Sequence, residues 1–244
     1  MPVIRLDLAY DGTDFHGFAR QPQVRTVQGE LEKALARVLG FDCETTGAGR
    51  TDAGVHARHQ VVSFSAGELP DLARLRRALD SVLGPEISVA AATEAPDDFN
   101  ARFSPTWRSY RYFIDSRPAA DPLTRNWVWH LARDLDLTAM GAAARGFVGE
   151  HDFASFCRRR PEATTTRTVH GAHWEMDGPR HCFQVRARAF CHQMVRSLVG
   201  FCVDVGLARI PADSVGDVIA ARDRQRVGTV APPHGLVLWE VGFD

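Results

Sequence analysis

The chain has 244 residues, 45% hydrophobic and 24% charged, with a formal net charge of −1. That length can bury a sizeable core, as one large domain or two intimate subdomains. The near-neutral balance argues against a strongly basic, non-specific nucleic-acid binder, and no apolar run approaches the ~20 residues that span a bilayer.

Val3 to Tyr10 alternates Ile4, Leu6 and Leu8 with Arg5, Asp7 and Ala9, the pattern of a half-buried strand. The chain enters this strand without a signal-peptide layout, so a cytoplasmic location is expected. Asp11 to Asp14 is a turn. Phe15 to Gln21 mixes aromatics with Arg20 in a loop that either stacks on a nucleic-acid base or caps the core. Thr26 can cap a helix with the stripe Val27, Leu31, Ala34, Leu35 and Val38, ended by Gly40. A short strand from Cys43 to Ala48 leads into a loop, and Gln60 to Phe64 leaves it as another strand.

That loop, Gly47 to His59, is the focus of the sequence. Asp52 is its only acid and stands between Arg50 and Arg58 among small residues. A carboxylate near arginine is favoured in its ionised form, which suits a nucleophile or base. A surface ion pair on a Gly-rich turn is the structural alternative. Gly47, Gly49 and Gly54 allow positive φ and close approach by another backbone or a ligand.

A helix is expected from Asp71 to Leu83 on Leu72, Leu75, Leu79 and Val82, closed by Gly84-Pro85, then a strand from Ile87 to Ala92. Pro96 to Ser104 is basic-aromatic. The strand Trp107 to Asp115 places Arg108, Tyr110 and Tyr112 on one face. Pro118 to Asn126 is the best boundary candidate, giving domains 1–117 and 118–244. Beyond it lie a strand from Trp127 to Leu131 and a helix from Ala139 to about Phe147 capped by Thr138.

His151 reads as a structural hydrogen-bonder. Arg158-Arg159-Arg160 is the one dense cationic run, either a solvated loop or a phosphate clamp for RNA. Thr165 to Met176 and His181 to Ala189 form a hairpin around Asp177-Gly178-Pro179. A long helix opens at Phe190, with Arg196 on its first turns among apolar neighbours, where a cation needs a partner. A shorter helix runs from Ala212 to Ala221, and Leu236 to Val241 closes the chain as a strand.

Lys33 is the only lysine, so almost all positive charge is arginine, which binds phosphate and base edges through its planar fork. A GC-rich genome produces the same bias, so local clustering must decide. The five cysteines include no C-x-x-C pair and read as reduced, mostly buried thiols. His170, His173, His181 and His192 beside Cys182 and Cys191 fit no common ligand spacing, so no metal is expected.

The run Gly49-Arg50-Thr51-Asp52-Ala53-Gly54-Val55-His56-Ala57 resembles the signature of the tRNA pseudouridine synthase A family. Further blocks extend the likeness over nearly the whole chain: Pro96 to Ser104, the Tyr110-Arg111-Tyr112 segment, Gly149 to Phe156, and Met194-Val195-Arg196. Phe18 and Ala19 replace the usual Trp and Gln, and Asp80 and Gly84 replace an Asn and a Pro.

The order strand, helix, strands in both halves is compatible with two similar α+β lobes. The resemblance implies two ferredoxin-like lobes sharing a mainly antiparallel sheet with helices on one face, and a homodimer. It implies isomerisation of uridine to pseudouridine at positions 38, 39 and 40 of the tRNA anticodon stem-loop. Asp52 would be the catalytic carboxylate, paired with Arg196, and Tyr110 would contact the base.

Arg50 would fill the gap left by a flipped nucleotide or serve only its own loop, and Arg58 and Arg20 are further substrate-binding candidates. The exchange is redox-neutral and needs no phosphate donor, so no cofactor is expected. Attack on the ribose C1′, addition to the uracil ring and removal of a ribose proton all stay open for Asp52. Two rival readings remain: an RNA-binding module without catalysis, and a glycosidic hydrolase with Asp14, Asp98 or Glu150 as the second carboxylate.

Overall fold

The structure, a computed structural model, describes residues 1–158 and 164–243. In chain order the elements are β1 (Val3–Tyr10), α1 (Val27–Leu39), β2 (Thr46–Gly47), β3 (His56–Ser65), α2 (Leu72–Leu83) and β4 (Ile87–Ala95). Then come β5 (Trp107–Asp115), β6 (Trp129–His130), α3 (Leu137–Arg145), β7 (Gly149–Asp152), β8 (Thr166–Asp177) and β9 (Arg180–Ala187). The chain ends with α4 (Met194–Gly206), α5 (Val215–Ala221) and β10 (Leu236–Gly242). The class is α+β, with mainly antiparallel pairing. Two compact units divide the chain: Met1–Arg108 with Leu238–Asp244, and Ser109–Val237. Residues 118–126 lie inside the second unit, and the final strand returns the chain to the first.

In the first unit the strand order is β4-β1-β3-β10, with β2 beside β3. Both flanks of β1 are antiparallel, Leu6 opposing Val62 on β3 and Ala92 on β4. Alternation along β1 buries Ile4, Leu6 and Leu8 completely, and α1 adds Leu31 and Leu35 to the same core. Thr26 caps α1 by accepting from the Gly29 N–H, and Gly40 closes it in the left-handed region, as the sequence predicts.

On α2 the stripe shifts: Leu75, Leu79 and Leu83 are buried, whereas Val82 is 41% exposed. Leu83 continues the four-residue step from Leu79, and Val82 lies about a quarter turn off it. Asp80, which stands where the resembled family has Asn, accepts from the Val89 N–H and the Ser88 hydroxyl, so it ties α2 to β4.

In the second unit the order is β5-β9-β8-β7, with β6 parallel to β5. The β8–β9 hairpin pairs Trp174 with Phe183. Helix α3 starts two residues earlier than expected because the Asp136 carboxylate accepts from Ala139 N–H and takes the capping role assigned to Thr138.

Helix α4 starts four residues later than expected. Gln193 has φ 63°, a left-handed conformation that cannot lie inside a right-handed helix, and the Arg158 N–H donates to the His192 carbonyl just before it. The segment 212–221 is a 3-10 turn followed by α5. The expected strands at 43–48 and 127–131 shrink to two-residue pairings. None of the five cysteines is in a disulfide; Cys191 is half-buried and the rest are buried. Among the described residues, no helix is long and apolar enough to cross a membrane.

Candidate active site

The Asp52 loop leaves β2 and enters β3, and buried polar groups pin it on both sides of Arg50. Gln60, fully buried on β3, accepts from the Gly49 N–H (3.1 Å) and donates to the Gly49 carbonyl (2.7 Å). Its amide nitrogen also lies 3.5 Å from the Tyr10 hydroxyl. That hydroxyl shares a 2.9 Å hydrogen bond with Thr51 Oγ1, and burial pushes the Tyr10 pKa up to about 12, so the phenol stays neutral.

Just upstream, the buried Arg108 guanidinium donates to the Ala48 carbonyl (3.2 Å). Downstream, the Val55 N–H donates to the Asp52 carbonyl (3.1 Å), closing a tight turn. Gly54 takes φ 76° in that turn, while Gly47 serves close approach: a Cβ there would stand 2.4 Å from the Phe18 ring. Asp52 is half-buried at the first position of this turn, with the residues before and after it fixed.

The arginines around it stay on the outside. Arg50 and Arg58 are exposed. Arg58 lies on β3 with its guanidinium 4.6 Å from the centroid of the Trp239 ring. Arg20 forms a 3.2 Å ion pair with Glu32, whose other oxygen holds the Thr45 N–H and hydroxyl. The aromatic loop caps the core: Phe15 and Phe18 are buried, and Phe18 stacks on Tyr10. The replacement of Trp by Phe at position 18 is thus a change in the floor beneath the loop.

The other two expected residues belong to the second unit. Tyr110 is buried on β5, with its ring edge-on to Phe190 at 5.0 Å. Arg196, on the first turn of α4, donates from Nε to the Ala231 carbonyl (2.7 Å), and its own carbonyl accepts from the Ala231 N–H (3.1 Å). Tyr112 donates to the Pro232 carbonyl (2.9 Å). Burial raises the Tyr112 pKa well above its ordinary value, and the charge of Arg196 pulls the other way.

The segment after α5 is locked against α4: a Cβ on Gly200 would lie 1.9 Å from the Thr229 carbonyl oxygen, and Asp204 accepts from the Thr229 N–H and hydroxyl. His151 bonds the Val148 carbonyl through Nε2, in keeping with a structural role. Of the cationic run, Arg158 is exposed, and Arg159 and Arg160 lie outside the described residues.

The profile described as tRNA pseudouridine synthase matches residues 8–104 and 143–244. The chain belongs to the tRNA pseudouridine synthase family. Among curated relatives named tRNA pseudouridine synthase A, that of Leifsonia xyli is 46% identical, covering 98% of this chain and 91% of its own. That of Streptomyces griseus is 46% identical over 98% of this chain and 87% of its own, and that of Brevibacillus brevis 42% identical over the whole of both. It is a family of isomerases, so the chain is an enzyme and the resemblance read from its motifs holds across both units.

Several residues that shape this site carried no sequence signal of their own. Tyr10 and Gln60 read as ordinary strand positions, and Arg108 only as sharing one face of its strand with Tyr110 and Tyr112. The available signal was a polar Gln60 heading the apolar run Val61-Val62: a buried amide in such a run needs partners, and the nearby loop backbone provides them. Among the described residues, no group of three or more His, Cys, Asp or Glu side chains is placed to hold a metal ion.

Proposed function

We propose that this enzyme converts uridine to pseudouridine at positions 38, 39 and 40 of the tRNA anticodon stem-loop, with Asp52 as the nucleophilic carboxylate. The observation that carries the reading is the fixed placement of one acid, the sole carboxylate of its loop, between segments held by Gln60, Thr51 and Arg108. Preorganisation of this kind suits a group that must meet a reacting atom within a fraction of an ångström.

The reaction breaks the C1′–N1 bond and forms C1′–C5. The C5 hydrogen leaves as a proton and N1 ends protonated, so no electrons or phosphate are exchanged. In this reading Arg196 and Tyr110 bind the substrate, Tyr110 packing against the detached uracil. Arg50 stacks into the space vacated by the flipped nucleotide, whose extrusion costs a few kcal/mol. Arg58 and Arg20 contact the RNA backbone. The protein acts in the cytoplasm as a homodimer.

The test is release of tritium from C5-labelled uridine in a tRNA transcript. Wild type should release it and Asp52→Asn should release none while still binding tRNA. Transcripts with cytidine at 38, 39 and 40 in turn assign the positions. Tight binding by wild type without release would sink the catalytic reading and leave the RNA-binding module.

A further inference from the structure

The turn between β4 and β5 carries an aromatic side chain that the proposed chemistry does not use. Phe103 is 75% exposed, and the Arg102 guanidinium lies over its ring at 5.1 Å from the centroid. Exposed phenylalanine on a loose loop would mean little, but this turn is heavily fastened. Both the Phe103 and the Ser104 N–H donate to the Asn100 carbonyl, and the Arg102 N–H donates to the Asn100 side chain. The Asn100 N–H donates to Ser104 Oγ, and the Ala101 N–H donates to Ser63 Oγ on β3. A ring presented to solvent on a rigid turn loses little freedom when it meets a flat partner.

The same turn is tied to the Asp52 loop. The buried Arg108 side chain donates to the Arg102 carbonyl (2.7 Å), the Pro105 carbonyl (3.0 Å) and the Ala48 carbonyl (3.2 Å). One guanidinium therefore sets the height of the Phe103 turn relative to the strand that delivers Asp52. A cation over one side of an exposed ring also selects the partner: an apolar protein surface would have to desolvate the guanidinium, whereas a nucleobase accepts the ring and its phosphate accepts the charge.

We propose that Phe103 and Arg102 form a stacking platform for an unpaired base of the RNA substrate, held in register with the Asp52 loop by Arg108. This inference rests on the reading that the substrate is RNA, and it adds a contact site outside the catalytic loop.

The experiment compares wild type with Phe103→Ala, Phe103→Leu and Phe103→Tyr in the full-length protein. It measures affinity for an unmodified tRNA transcript, KM and kcat of tritium release, thermal stability and mass by light scattering. Phe103→Ala and Phe103→Leu should both weaken binding and raise KM by roughly tenfold, with kcat changed little. Phe103→Tyr should restore wild-type values, and stability and mass should stay constant.

Full recovery by Phe103→Leu would mean that the side chain packs against an apolar surface, and would overturn the platform. So would unchanged affinity in Phe103→Ala, or a change of mass, which would assign the ring to contacts between copies. If wild type releases no tritium yet Phe103→Ala and Phe103→Leu weaken binding, the catalytic reading fails and the platform stands.

Discussion

The Asp52 loop of the first unit and the start of α4 in the second are held by different means. Around Asp52 the fastening is done by side chains: the Gln60 amide, the Tyr10 and Thr51 hydroxyls and the Arg108 guanidinium bond to backbone groups or to one another. At α4 side-chain bonds from Arg196 and Asp204 are joined by a constraint of shape. The helix has no side-chain cap, its first residues follow a left-handed Gln193, and Gly200 lets the Thr229 carbonyl approach closely. The first arrangement fails when a polar group is deleted, and the second also fails when a carbon is added at Gly200. Each mode therefore makes its own prediction.

The largest effect is expected at Gln60. Gln60→Leu keeps the size of the side chain but leaves the Gly49 N–H and carbonyl without their buried partner. Each unsatisfied group costs about 1–3 kcal/mol, so a loss of roughly 3 kcal/mol is expected. For a chain of this length that corresponds to a melting temperature lower by roughly 6–12 °C. Tritium release should fall with it, because the strand entering the Asp52 turn loses its anchor. A variant that melts like wild type would show that the loop is held by backbone pairing alone.

Gly200→Ala tests the other mode. Alanine is the better helix former by about 1 kcal/mol, so a solvent-facing site would gain stability. Here the added Cβ meets the Thr229 oxygen at 1.9 Å. A net loss of about 1–3 kcal/mol is expected, the usual cost of overpacking. Denaturant unfolding decides it by the sign.

The two modes also differ in how far they could be read from the sequence. Side-chain periodicity recovered β1, α1 and β5 to the residue, because one face of each is buried and the apolar spacing records it. The nine-residue run around Asp52 was legible because its residues match a known signature directly. What escaped was anything set by a partner distant in sequence. Gln60 reads as a strand residue until Gly49 lies beside it, and Arg108 reads as a charged strand position until three carbonyls converge on its guanidinium. The start of α4 escaped for a different reason: Gln193 takes a positive φ, and glutamine carries no propensity that announces it.

A smaller effect, confined to low pH, is expected in the second unit. The Asp115 carboxylate, buried and gripped by the Arg117 guanidinium at 2.6 and 2.9 Å, has its pKa lowered to about 2, chiefly by those hydrogen bonds. In the unfolded chain it titrates near the ordinary value of 3.8. The folded-state pKa is the lower one, so the contribution is fully present above pH ~4 and lost as pH falls toward 2. Arg117→Gln should flatten the acid limb of the stability curve between those limits and leave it unaltered in shape near neutrality. An unchanged acid limb would show that other carboxylates govern it.

The smallest effect is expected at Arg58, and it separates structure from substrate contact. Its guanidinium lies over Trp239 on an exposed face, where such a pair contributes about 0.5–1 kcal/mol. Arg58→Ala should therefore lower stability by less than about 1 kcal/mol, far below Gln60→Leu. If Arg58 also neutralises a phosphate of the bound tRNA, the slope of log K against log salt should fall by about 0.7–1, the value for one released counterion. Affinity would drop at low salt and converge with wild type as salt rises. An unchanged slope with the small stability loss would leave Arg58 as a support for Trp239 alone, outside the set of residues that touch the substrate.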